Sequence, residues 1–125
     1  MNTIELNQST PHGLMRCFAD RLNAADLDGV MALYEPSALF GPQPGEIVRG
    51  RSAIRHALDE LLTLTPTIVA DTVQVLVAGD TALVINEWVL TGTAPDGTPV
   101  RQQGRSTDVV RRQPDSRWLV LIDKP

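Results

Sequence analysis

The sequence predicts an α+β fold in which three N-terminal helices pack on a curved antiparallel sheet, a cone-like α+β barrel. Three observations carry this expectation. Up to Pro66 the apolar residues recur at helical spacing, and beyond it they alternate. The alternating half is cut into long runs by Gly79-Asp80, Pro95-Asp96-Gly97 and Pro114-Asp115-Ser116, all turn formers. Helices first and strands afterwards, joined by short turns, give segregated layers rather than a parallel sheet with crossing helices.

Thr10-Pro11 opens the first helix, a capping residue followed by proline at the first helical position. Leu14, Phe18 and Leu22, with Met15 beside them, form its apolar stripe, and Asn23-Ala24-Ala25 ends it. The roughly nine residues before it are expected to be mobile. Asp26 caps a second, shorter helix with Leu27, Val30, Met31 and Tyr34 on its apolar face, and Pro36 stops it. Ser37–Phe40 reads as a short strand, broken by Gly41-Pro42-Gln43-Pro44-Gly45. A third helix starts near Gly50-Arg51-Ser52, buries Ile54, Ala57, Leu58, Leu61 and Leu62, and closes before Pro66. Val73, Val75 and Val77 then alternate with Thr72, Gln74 and Leu76, and strands over Thr81–Thr93, Val100–Arg112 and Trp118–Ile122 complete a meander. Helices cover one face of such a sheet, so a homodimer through part of the back face is expected.

A chain of 125 residues is one domain, here 1–125, with an ordinary globular balance of 42% apolar and 21% charged residues. The net charge of −4, the absence of a basic stripe and only five aromatic residues exclude a nucleic-acid surface. No apolar run approaches the roughly 20 residues that span a bilayer, so no membrane partner is expected. The opening MNTIELNQSTPHG lacks the basic and apolar regions of a secretory signal, and one cysteine, Cys17, makes no internal disulfide; a cytoplasmic protein is expected. His12 and His56 have no partners at ligand spacing, and there is neither a Gly-rich phosphate loop nor a G-x-S-x-G elbow, so neither metal nor cofactor is expected. Asp59 and Glu60, beside His56, read as a solvated helix face.

The run LNAADLDGVMALYEPSALFGPQPGEIVRGRSAIRHAL carries a recognisable pattern. A helix ends in Asn-Ala-x-Asp-x-Asp, a second ends in Leu-aromatic, a short strand follows, and Gly-x-x-Ala-Ile opens a third helix. With the tail GTAPDGTPVRQQGRSTDVVRR and RWLVLID, the chain from about Pro11 onward resembles the nuclear-transport-factor-2-like superfamily, in its SnoaL-like and ketosteroid-isomerase-like branch. The resemblance implies a curved sheet around the first helix and a pocket at one end of the cone. It implies a small-molecule-pocket protein: a cofactor-free isomerase, cyclase or hydrolase relative, or alternatively a non-catalytic ligand-binding or dimerisation domain. The implied ligand is a small apolar or partly polar organic molecule.

Ketosteroid isomerase-like chemistry uses a carboxylate base, a tyrosine hydroxyl and a protonated carboxylic acid. Carried over without gaps, the resemblance places the tyrosine position on Phe18, the base on Pro42 and the acid on Asp108, so two of the three groups are missing. Asp108 is the candidate catalytic residue. A carboxylate between Thr107 and Val109 in a strand either faces a pocket or is a structural acid bound to backbone or to Arg49, Arg51 or Arg112. With Asp108 inward, strand parity puts Gln102, Gly104 and Ser106 on its face, and the same resemblance turns Val84, Asn86 and Trp88 inward. Phe18, Phe40, Val84, Asn86, Trp88, Gln102 and Ser106 are thus the candidate ligand contacts, Trp88 standing between pocket wall and core. Trp118 is expected in the core or an interface, and Cys17 reads as a small buried residue.

Overall fold

Thr10 caps the first helix, α1 (Pro11–Asn23), its Oγ1 accepting from the Gly13 N–H at 3.0 Å. The structure, a computed structural model, describes residues 8–125. Residues 1–7, where most of the expected mobile stretch falls, lie outside them, and Gln8 is buried. After α1 come α2 (Leu27–Met31), β1 (Tyr34–Phe40), β2 (Val48–Arg49), α3 (Gly50–Leu62), β3 (Thr67–Ala78), β4 (Thr81–Thr93), β5 (Pro99–Arg112) and β6 (Trp118–Lys124).

The Asn-Ala-x-Asp-x-Asp segment acts as a clasp. Asn23 pairs with both backbone groups of Ile68, its Nδ2 donating to the carbonyl at 2.9 Å and its Oδ1 accepting from the N–H at 2.7 Å. Two orphan groups on the edge strand β3 are satisfied in this way, which ties α1 to the sheet. Asp26 caps α2 through the Gly29 N–H, and Asp28 pairs with Arg55 of α3.

Two expectations near α2 are corrected. Tyr34 and Pro36 belong to β1, not to the helix and its stop. Pro36 is tolerated in the strand because the pairing of β1 with β6 is interrupted between Tyr34 and Leu39, where no N–H is required. The sheet is also mixed rather than purely antiparallel, in the order β2-β1-β6-β5-β4-β3, with β1 and β6 parallel. It is open, with β2 and β3 at its two edges, so the barrel does not close. The strand β2 was not anticipated; it pairs with β1 at Leu39–Phe40 across the proline-bearing loop.

Two bulges decide which side chains face the helices. The register of β3 on β4 shifts between Thr72 and Gln74, so Thr72 and Val75 share the inner face and Val73 is displaced from the expected Val73-Val75-Val77 row. On β6, Val120 pairs with Val110 but Ile122 pairs with Val109, one residue out of step. The extra residue turns both Val120 and Asp123 inward, although they are three apart. The core lies between this inner face and the helices, built on Leu14, Leu22, Tyr34, Ile54, Val84, Val110, Trp118 and Val120.

Candidate functional site

A cavity of about 530 Å³ opens between α1, α3 and the inner face of the sheet. Its walls are mostly apolar: Phe18 and Leu22 from α1, Leu58 and Leu61 from α3, Phe40 from β1, Trp88 and Leu90 from β4. Polar side chains gather where β4, β5 and β6 run side by side, contributing Asn86, Ser106, Asp108 and Asp123.

Asp108 and Asp123 are register partners on β5 and β6, 6% and 9% exposed. Adjacent carboxyls on one face of a sheet repel when both are charged, and burial removes the water that would screen them. Burial first, and the neighbouring Asp123 second, push the Asp108 carboxyl well above the usual carboxylate range. Burial also raises Asp123, opposed by hydrogen bonds from Tyr34 and Asp108 that favour its charged form. Both carboxyls are thus pushed toward the protonated form, Asp108 the further of the two.

The surrounding hydrogen bonds fit that assignment. The Tyr34 hydroxyl donates to Asp123 Oδ2 at 2.6 Å, and burial together with that carboxylate pushes the phenol well above its ordinary value. The Lys124 N–H donates to Asp108 Oδ1 at 3.2 Å. Asn86 Nδ2 donates to Ser106 Oγ at 3.0 Å and to Asp108 Oδ2 at 3.2 Å, while Asn86 Oδ1 accepts from Thr72 Oγ1 at 2.7 Å. No arginine reaches Asp108 in the manner weighed from sequence: Arg51 donates to the Tyr34 carbonyl and Arg112 to Asp80.

Of the candidate residues, Phe18, Phe40, Asn86, Trp88, Gln102, Ser106 and Asp108 border this one cavity. Val84 does not. It pairs across from Asp108, but it is wholly buried in the core. Asp123 escaped the sequence reading because strand parity from Val120 places it outward; only the β6 bulge reverses it. Its one sequence signal is a carboxylate closing the apolar run LVLI. Glu60 and the loop residue Glu46 border the cavity as well. Glu60 also lies 3.4 Å from His56 on the exposed side of α3. His12 is exposed, and Cys17 is buried with its thiol raised chiefly by that burial. Among the described residues no group of His, Cys, Asp or Glu is arranged to hold a metal, and no helix is long and apolar enough to cross a membrane.

Trp88 lies flat over Gly104, its cross-strand partner. A Cβ on Gly104 would stand 2.9 Å from Trp88 Cζ2. The indole N–H is buried there without a hydrogen-bond partner.

A mixed sheet with helices on one face and a cavity between them places the chain among nuclear-transport-factor-2-like folds. A protein of that superfamily from Salmonella enterica serovar Typhimurium matches with a TM-score of 0.79 at 19% identity, over 98% of this chain and 87% of that one. A ketosteroid isomerase-like protein from Erwinia carotovora matches with a TM-score of 0.81 at 13% identity, over 93% and 92%. An NTF2-like protein with a cystatin-like fold from Novosphingobium aromaticivorans matches at 0.74 and 19%, over 88% and 74%. Within that class the chain belongs to the SnoaL-like domain family, whose model matches residues 15–120. No match is found among curated proteins.

Two outcomes follow from the geometry. Gly104→Ala is expected to lift the indole towards the cavity and cost about 1–3 kcal/mol, because a rigid ring cannot yield as a flexible chain would. In a double-mutant cycle by urea denaturation the cost is expected to fall when Trp88 is first changed to Ala; an equal cost in both backgrounds rejects the contact. The second concerns pH. Folded Asp108 keeps a proton that the unfolded chain releases near 3.8. Between that value and the raised one, the native state binds more protons, so stability falls as pH rises through this window. Asp108→Asn is expected to flatten that fall in denaturation curves taken from mild acid to mild base, and an unchanged slope would show that Asp108 does not hold the proton.

Proposed function

We propose that this chain holds a small, largely apolar organic ligand in the cavity and that the Asp108–Asp123 pair engages its polar group, giving and taking a proton. The observation that carries this reading is a buried pair of adjacent carboxyls at the polar end of an otherwise largely apolar cavity of about 530 Å³. That volume lies within the roughly 300–1,000 Å³ of typical small-molecule sites. A carboxylic acid kept neutral by burial can donate a proton, and the partner carboxylate can accept one, so one dyad supplies both halves of general acid–base work. Pro42 favours a second reading, a binding module without chemistry. It lines the cavity and has no proton to move.

A thermal-shift screen of compact apolar compounds bearing one polar group separates these readings. Binding in the cavity predicts stabilising compounds whose effect disappears in Leu61→Trp, which fills the space, and weakens in Asp108→Ala. Compounds whose shifts survive both substitutions would place binding elsewhere. Turnover or proton exchange of a hit that stops in Asp108→Asn marks the enzyme, and binding without exchange marks the module.

We also propose that two copies associate through the back of the sheet. Leu76, Leu83, Val109 and Ile122 form one apolar row across β3, β4, β5 and β6, with Leu76 52% exposed. On the same face, beyond the row of Gln74, Ile85 and Thr107, run Asp71, Glu87 and Arg105, acidic at one end and basic at the other, so a two-fold axis through that row sets unlike charges against each other. Light scattering is expected to give twice the chain mass, and Leu76→Asp with Ile122→Glu to halve it. A monomeric mass for the wild type would remove the proposal.

A further inference from the structure

Around the Asp108–Asp123 pair the hydrogen-bonding capacity is one-sided, and this bears on the ligand; the amides of Gln43 and Gln102 line the cavity outside that cluster. At the deep end the donors are already spent. Tyr34 gives its hydroxyl proton to Asp123, the Lys124 N–H goes to Asp108, and Thr72 gives its proton to Asn86. Asn86 spends its amide protons on Ser106, Asp108 and the Met15 sulfur, and Ser106 directs its own hydroxyl to Asp108 at 3.5 Å. The indole N–H of Trp88 is sealed against Gly104. Carboxylate oxygens, each able to accept more than one hydrogen bond, are left facing the cavity, together with the proton that Asp108 keeps.

Charge points the same way. Among the described residues the lining includes Glu46, Glu60, Asp108 and Asp123, and no Lys, Arg or His. Nearby guanidinium groups are held by partners on other surfaces: Arg51 by the Tyr34 carbonyl, Arg111 by Glu35, Arg55 by Asp28. With a proton on Asp108 alone, the pair keeps one negative charge in a desolvated place, and the lining supplies no cation to balance it. The walls around it include Phe18, Phe40 and Trp88, whose ring faces are themselves electron-rich.

From this we infer that the ligand is an amine: an apolar body lying between Phe18, Phe40 and Trp88, with its protonated nitrogen donating to Asp108 and Asp123. The inference rests on the cavity reading above and makes it specific. Oxyanions and carboxylates need donors that the deep end has already spent, and a ketone finds only the Asp108 proton. An ammonium brings several donors and the one positive charge that neutralises the pair.

Four probes with one body and different heads test this on the unmodified protein: cyclohexylmethylamine, cyclohexylmethanol, cyclohexyl methyl ketone and cyclohexanecarboxylate. By calorimetry at mildly basic pH, the amine is expected to bind at least about tenfold more tightly than the alcohol, with the ketone weaker and the carboxylate not bound. Asp123→Asn is expected to abolish the preference of amine over alcohol, the amine losing about tenfold more affinity than the alcohol does. Ketone or carboxylate binding as tight as the amine's would overturn the amine assignment and leave the cavity reading standing. An amine preference that survives Asp123→Asn would overturn it equally, because the cation would then be held elsewhere. Should none of the four bind, both readings fall together. The comparison among heads in the wild type stands even if the variant fails to fold.

Discussion

Two carboxyl groups are buried side by side on adjacent strands with no basic residue between them, and much of the inner architecture answers that constraint. Both cannot be charged in such a place, so one proton must stay. Tyr34 is wholly buried and gives its hydroxyl to Asp123, which favours the charged form of that carboxyl. Asn86 is held by Thr72 on one side and can therefore present only its amide protons to Ser106 and Asp108. The Lys124 N–H fixes the other oxygen of Asp108. Each contact is an ordinary hydrogen bond worth about 0.5–1.5 kcal/mol net, or more where a charge takes part. Their joint effect is to keep the pair oriented, because a partly satisfied buried network costs more than an apolar one.

The same constraint explains why the sheet is irregular where it is. Regular alternation along β6 would put Asp123 on the outer face and Ile122 in the interior. One inserted residue between Val120 and Ile122 reverses both. The shift on β3 beside Thr72 supports the hydroxyl that orients Asn86. Bulges interrupt ladders and are retained where they re-aim a side chain, and here both stand next to the polar cluster. Gly104 belongs to the same economy of space. Without a side chain it lets Trp88 lie against the sheet, leaving the cavity open in front of the ring.

Much of this fold was legible in the sequence because it rests on local chemistry. Thr10-Pro11 starts α1, Gly50 starts α3, and the turn at Gly79-Asp80 bounds β3 and β4, each set by the φ preferences and capping of a few residues. The inward face of β4 and β5 was also legible, since both strands keep strict alternation and pair without a shift. The failures share one cause, contacts between distant segments. Tyr34 looks helical beside Val30 and Met31, but it is held as a strand residue by Val120 and Asp123. The parallel pairing of β1 with β6 depends on where the last strand returns, which no local signal records. Asp123 faces inward because of a bulge whose position only the neighbouring strand reveals. Val84 has the parity of a lining residue and shares the row of Asp108, but core residues cover it completely, which alternation does not encode.

The fold by itself says little about chemistry, since the likeness to the solved structures described above lies below 25% identity and concerns shape alone. What distinguishes this chain is the inventory at the deep end of its cavity. Phe18 and Pro42 line the cavity, and neither carries a group that can donate or take a proton. Asp123 adds a second carboxyl beside that of Asp108. An isomerase-type site assembles donors around a developing oxyanion. Here the cavity gathers two carboxyls whose neighbouring donors are already engaged, which suits a group that brings its own protons.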